Sequence, residues 1–154
     1  MFIIIIGAGD VGLNLAKMLT YERNDVVVVE NNPEKHARAS DLLDAQVILG
    51  SGSSYRILEQ AGIKSADMLV AVTNSDEVNL LSAIMANEYE VEKTVARVKN
   101  LEYLDPESPI NADKFNIELL IHPESEAAKG AIRLLKQSAA SDIIEFGDGQ
   151  IVLM

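Results

Sequence analysis

Short apolar runs alternate with helix-period stripes along most of the chain. Residues 2–6, 26–29, 46–49, 68–73, 94–98 and 117–121 are brief, apolar and rich in β-branched side chains, without clean polar alternation. Strands that show neither face to water read this way, so the runs predict a parallel sheet covered on both sides. Between them, Val11, Leu15, Met18 and Leu19 recur at helical spacing, as do Val78, Leu81 and Met85, and then Ala128, Ala131, Ile132 and Leu135. Each set predicts the buried stripe of a helix. Asn32-Pro33 places a capping side chain before a proline at the first helical position, and Ala61-Gly62 places glycine at a helix end. The expected fold class is α/β, a doubly wound parallel sheet of Rossmann-like kind in three layers over residues 1–138. Residues 142–146 and 150–154 flank Gly147-Asp148-Gly149, so 139–154 reads as a C-terminal β-hairpin or as the start of a connection to a second domain.

The glycines carry the first chemical signal. Gly7-Ala8-Gly9-Asp10-Val11-Gly12 follows the first strand directly and opens the first helix, the setting that gives a G-x-G-x-x-G match its meaning. Gly7 permits a tight turn, Gly9 lets backbone approach a pyrophosphate, and Gly12 lets the helix pack closely on the sheet. The helix N–H groups then face the anion. Glu30 ends the second strand eighteen positions after Gly12, where a carboxylate can accept both ribose hydroxyls of an adenosine. A 2′-phosphate is repelled there, which favours NAD over NADP. A purely structural glycine turn and a solvated acid are the alternatives.

Leu49-Gly50-Ser51-Gly52-Ser53 and Thr73-Asn74-Ser75-Asp76-Glu77 end the third and fourth strands, on the same carboxyl edge as the glycine turn. Ligands bind on that edge of open α/β sheets. The small residues 50–53 suit an adenine lying against backbone, and Thr73 and Asn74 suit a phosphate or ribose across the crevice. Ser53 and Asn74 or Ser75 read equally well as helix caps. Arg97 interrupts the fifth apolar run, where a buried guanidinium needs a partner, either a nucleotide phosphate or an acid of a neighbouring subunit.

Catalytic groups are not evident. Tyr89 and Lys93 have the Tyr-x-x-x-Lys spacing of short-chain dehydrogenases, but residues 90–92 read as the connection into the fifth strand, not as helix. His36 and His122 lack a serine or carboxylate placed to form a triad, and Asp76-Glu77 reads as a dipole complement at a helix start rather than a metal site. No cysteine is present, which removes thiol chemistry. With 48% hydrophobic and 24% charged residues, the 154-residue chain has the composition of one folded domain. Its apolar runs fall far short of the ~20 residues that cross a bilayer. The chain is therefore expected to be neither secreted nor membrane-spanning. A net charge of −11 opposes any phosphate-backbone partner, so no nucleic acid is expected.

Residues 3–12 and 24–30, Ala61-Gly62-Ile63 with Ala66-Asp67, residues 72–79, Ala96-Arg97-Val98 and Ile121-His122-Pro123-Glu124 together resemble the nucleotide-binding domain of Trk/Ktr potassium-uptake regulatory subunits, the TrkA-type or RCK domain. The resemblance covers nearly the whole chain. It implies dinucleotide contacts at Gly7, Ala8, Gly9, Asp10, Val11 and Gly12, at Glu30 with Asn31 beside it, at Ser51, at Thr73 and Asn74, and at Arg97 near a phosphate or a dimer contact. The implied ligand is NAD(H), with ATP or ADP as the other option. Asp10 disfavours a triphosphate, because some ATP-binding relatives look to carry a basic residue there. The implied partners are a membrane potassium-translocating subunit and further copies of the chain in a dimer or larger ring. In the family a smaller ligand-binding domain follows, so the chain resembles an isolated N-terminal half, peripheral on the inner membrane face through its partner. An NAD-dependent oxidoreductase fragment without its catalytic domain is the alternative.

Overall fold

The computed structural model describes residues 1–108, 111, 113–139, 144–146 and 151–153. Backbone contacts divide the chain into two compact units, Met1–Ile121 and His122–Met154.

The first unit is a six-stranded parallel sheet of order β3-β2-β1-β4-β5-β6, built from β1 (Phe2–Ile6), β2 (Asp25–Glu30), β3 (Gln46–Leu49), β4 (Met68–Ala71), β5 (Lys93–Arg97) and β6 (Leu119–Ile121). Ile3 of β1 pairs with Val26 on one side and Met68 on the other, which places the reversal of strand order between β1 and β4. Helices α1 (Asp10–Tyr21) and α2 (Pro33–Leu42) follow β1 and β2, and α3 (Tyr55–Gln60) and α4 (Asp76–Glu88) follow β3 and β4. The unbroken apolar strands serve both faces. Ile4, Ile6, Val27, Val29, Leu69 and Ala71 pack with Leu58, Leu80, Ala83 and Ala86 of α3 and α4. Ile3, Ile5, Val26, Val28, Val70 and Val95 pack with Leu13, Ala16 and Ala39 of α1 and α2. This is the three-layer, doubly wound arrangement that the period of the strands predicts.

The helix faces differ from expectation. Val11 and Met18 are 49% and 63% exposed, and the buried side of α1 is Gly12, Leu13 and Ala16, with Leu15 and Leu19 only at its margin. In α4 the buried residues are Asn79, Leu80, Ser82, Ala83 and Ala86, while Leu81 is exposed and Val78 and Met85 lie at the edge of the core. The reason is close approach. A helix that must sit tightly on a parallel sheet places small residues at the closest approach, Gly12 and Ala16 in α1 and Ala83 and Ala86 in α4, with one leucine each, Leu13 and Leu80, buried beside them. The fourth strand also stops sooner than its apolar run, because the Thr73 N–H is taken by the Asn79 side chain instead of the ladder.

In the second unit, α5 (Pro123–Ala139) leaves Ala128, Ala131, Ile132 and Leu135 exposed. Strands β7 (Ile144–Phe146) and β8 (Ile151–Leu153) pair antiparallel, Ile144 opposite Leu153, as a hairpin requires. The turn expected at Gly147-Asp148-Gly149 lies outside the described residues. The sequence reading groups α5 with the sheet as far as residue 138, whereas here it groups with the hairpin.

Candidate functional site

Between the carboxyl ends of β1, β2 and β4 lies a cavity of about 350 Å³. Its wall combines Gly7 and Gly9, Glu30, Asn31, Asn32 and Lys35, Gly50, Ser51 and Gly52, and Thr73, Asn74 and Ser75. Four segments distant in sequence meet here because each follows a neighbouring strand.

Gly7 turns the chain out of β1 with φ +104, a backbone region that L side chains rarely adopt, while its N–H still donates to the Val29 carbonyl at 2.8 Å. A Cβ on Gly12 would collide with the carbonyl oxygen of Gly7, so this contact between helix and turn requires glycine. Gly9 is the N-cap of α1 and offers no side-chain hydrogen bond. The other two helices that open on this cavity differ. Asn32 Oδ1 accepts from the N–H groups of Glu34 and Lys35 at the start of α2, and Ser75 Oγ accepts from the Val78 N–H at the start of α4. Of these three N-termini, only that of α1 lacks a side-chain cap, and an uncapped N-terminus with its dipole is where an anion gains most.

Glu30 is 6% exposed and points inward. Its Oε2 accepts from the Ala8 N–H at 2.6 Å and its Oε1 from the Asn32 N–H at 2.8 Å. The carboxylate thus ties the glycine turn to the start of α2, and each oxygen keeps a further lone pair for a ligand. Ser51 and Ser53 are joined hydroxyl to hydroxyl at 2.7 Å. Ser54, not Ser53, occupies the N-cap position of α3.

Across the crevice, Asn79 of α4 is fully buried. Its Oδ1 accepts from the Thr73 N–H at 2.9 Å and the Thr73 hydroxyl at 2.6 Å, and its Nδ2 donates to the carbonyls of Thr73 at 3.1 Å and Arg97 at 2.9 Å. The turn after β4 is therefore held to β5 by one amide side chain. The Asp76 Oδ2 accepts from the N–H groups of Lys99 and Asn100, both at 2.9 Å, and Lys99 Nζ donates to the Asn74 carbonyl at 3.0 Å. The Glu77 carboxylate accepts from the Ser75 hydroxyl at 2.6 Å, and that bond, then its own backbone N–H, holds it below its ordinary value. Asp76 and Glu77 are employed in caps and tethers, in keeping with the dipole reading. Among the described residues no group of three His, Cys, Asp or Glu side chains is placed to hold a metal.

Of the residues expected at the site, Gly7, Gly9, Glu30, Asn31, Ser51, Thr73 and Asn74 line the cavity. Ala8 contributes its N–H to Glu30, Gly12 supports the turn, and Asp10 and Val11 are exposed on the first turn of α1 away from the cavity wall. Arg97 ends β5 half-buried and does not line the cavity. Lys35 does, and sequence reasoning missed it, because a lysine on the first turn of a polar helix reads as solvated. Asn79 was missed as a structural hub. Its signal was an amide at a buried helical position.

The remaining candidates lie elsewhere. Tyr89 follows the last turn of α4 and Lys93 opens β5, at the edge of the sheet opposite the glycine turn, so no helix aligns them. Burial, then the hydrogen bond to Glu59 at 3.2 Å, raises the Tyr89 phenol above its ordinary value. Lys64, 2.8 Å from Glu59, holds that carboxyl below its own. His36 Nε2 lies 3.2 Å from the Val47 carbonyl and His122 Nδ1 accepts from the Ser125 N–H at 3.0 Å, both tethering roles.

A 3-2-1-4-5-6 parallel sheet with a glycine turn at its switch point, an uncapped helix behind the turn and an acid closing the second strand defines a Rossmann-type domain. More particularly, the chain belongs to the TrkA-N domain family, which matches residues 3–123. It is 39% identical over 156 residues to the Trk system potassium uptake protein TrkA of Azorhizobium caulinodans, covering 99% of this chain and 34% of that protein. It is 38% identical over 154 residues to the Trk system potassium uptake protein TrkA homolog of Methanothermobacter thermautotrophicus, covering 100% of this chain and 69% of the relative. The chain thus spans about a third of the first relative and about two-thirds of the second. Among solved structures, the TrkA-N domain of the inner membrane protein ybaL from Escherichia coli superposes with a TM-score of 0.76 at 17% identity, over 87% of this chain and 96% of that one. The GsuK channel bound to NAD gives a TM-score of 0.64 at 18% identity, over 78% of this chain and 21% of that one. At these identities the two structures share the fold. No helix among the described residues is long and apolar enough to cross a membrane.

Proposed function

We propose that this chain is the nucleotide-binding part of a cytoplasmic regulatory subunit of a potassium-uptake system, taking NAD(H), or an adenine nucleotide such as ATP or ADP, in the cavity between β1 and β4. The observation that carries the reading is the pairing of an uncapped α1 N-terminus with a buried carboxylate on the same cavity wall. A pyrophosphate would lie on the N–H groups of α1, a ribose on the free lone pairs of Glu30, and an adenine against Gly50–Gly52. Membership of the TrkA-N family, the names of the Trk relatives and the NAD in the GsuK structure support the same ligand class.

Glu30, Asn32, Thr73 and Ser75 of the cavity wall hold backbone groups, which suits a site that binds without turnover. Regulation then follows from linkage. A ligand shifts an equilibrium between two subunit arrangements only by binding them unequally. NADH against NAD, or ATP against ADP, would bias a homo-oligomer of this chain, and that bias would gate a membrane potassium-translocating partner at the inner face. The exposed apolar residues of α5 are where we place contacts between copies.

Calorimetric titration with NADH, NAD, ATP and ADP tests the reading, on the wild type, Glu30→Ala and Gly9→Ala. Saturable binding of at least one ligand, weakened in both variants, is expected. Heat from none of the four would remove the nucleotide reading.

A further inference from the structure

We infer that Lys35 makes this pocket tolerant of a phosphate on the adenosine ribose, so that the site takes 2′-phosphorylated and unphosphorylated adenine dinucleotides alike. The inference rests on the nucleotide reading above and deepens it. An acid ending the second strand ordinarily excludes a 2′-phosphate, because the carboxylate faces it. Here the carboxylate is not alone. Glu30 and Lys35 are the two charged residues of the cavity wall, so its formal charge is zero.

Three further observations bear on the same end of the cavity. Both Glu30 oxygens accept short hydrogen bonds from backbone, Oε2 from Ala8 and Oε1 from Asn32, so part of the charge is already met by N–H dipoles. The start of α2 cannot offer its own N–H groups to an anion. Pro33 has none, and those of Glu34 and Lys35 are both held by Asn32 Oδ1, at 2.9 and 3.0 Å. An anion beside Glu30 therefore gains nothing from the first N–H groups of α2, and Lys35 is the cation in the wall. Its residue is exposed, and a four-carbon stem lets the ammonium follow a phosphate without disturbing the fold. An unphosphorylated ribose leaves the ammonium in water at little cost, which is why one pocket serves both ligands.

The test titrates NADH and NADPH against the wild type, Lys35→Ala and Lys35→Glu at low and raised salt. We expect the wild type to bind NADPH within about tenfold of NADH, and Lys35→Ala to weaken NADPH by about tenfold while moving NADH less than about threefold. Lys35→Glu should weaken NADPH further, and salt should erase most of the wild-type preference over the variants. Wild-type binding of NADH with NADPH undetectable, or an equal loss of both ligands in Lys35→Ala, overturns the inference and leaves the nucleotide reading standing. Binding of neither by the wild type overturns both.

Discussion

The Glu30 carboxylate and the Ala8 N–H, twenty-two residues apart, are joined by a buried hydrogen bond of 2.6 Å. The acid that would face a ribose is thus also the fastener of the turn that would face the phosphates. Removing it leaves two backbone N–H groups without their acceptor, and a buried charged hydrogen bond contributes about 1.5–3 kcal/mol. Glu30→Ala is expected to lower unfolding free energy by about 2–4 kcal/mol in urea titration. Glu30→Gln keeps the shape but sets an NH2 donor against one of the two backbone N–H groups, so it should cost a comparable amount. Equal stability of Glu30→Ala and wild type would remove the fastening role.

Gly9 and Gly12 separate ligand space from packing space. A Cβ on Gly9 meets nothing within 4 Å and its backbone is ordinary extended chain, φ −67, whereas a Cβ on Gly12 strikes the Gly7 carbonyl. Gly9→Ala should leave stability within about 0.5 kcal/mol of wild type while weakening nucleotide binding. Gly12→Ala should cost about 3 kcal/mol or more, read by thermal unfolding.

Asn79 ties the turn after β4 to β5 with four hydrogen bonds, and only an amide side chain, Asn or the one-methylene-longer Gln, has such a fork of donors and acceptor. Asn79→Ala is expected to destabilise by about 3 kcal/mol. Asn79→Asp should be at least as damaging, because a carboxylate would face the carbonyls of Thr73 and Arg97. Hydrogen exchange at the Thr73 N–H would report the local loosening directly.

Acid should weaken the cap at the cavity rim. The Ser75 hydroxyl holds the Glu77 carboxyl below its ordinary value of 4.5. A depressed acid contributes stability that is fully present above its unfolded value and is lost as pH falls through the folded one. The group is exposed, so the effect is small. Melting temperature scanned from about pH 6 to about pH 3 should fall less steeply in Glu77→Gln than in wild type. Parallel curves would assign the acid slope to other carboxylates.

The outer face of α1 should tolerate polarity. Met18 is 63% exposed and Ala16 is fully buried. Met18→Lys is expected to change stability by less than about 0.5 kcal/mol, while Ala16→Leu overpacks the helix against the sheet at a cost of about 1–3 kcal/mol.

That last pair marks where reading the chain alone goes astray. Helical spacing groups Val11, Leu15, Met18 and Leu19 correctly onto one side of a helix, but hydrophobicity does not say that this side is the buried one. Backbone approach decides it, and approach favours Gly12 and Ala16. Lys35 illustrates the converse. Nothing within its own helix distinguishes it from a solvated lysine, and it becomes part of a cavity wall only because β1 and β4 bring the glycine turn and Asn74 opposite it.

By itself the amino-acid sequence determined the alternation of strands and helices, the two-sided burial of the strands, the glycine turn, the acid at the end of β2 and the cap at Asn32. All of these are set by period, by steric freedom or by partners a few residues away. Only the tertiary structure decided which helix faces are buried, what Glu30 and Asn79 hold, and which charges share the cavity. Those outcomes depend on groups that are far apart in the chain, and the strand order that brings them together is written in no single segment.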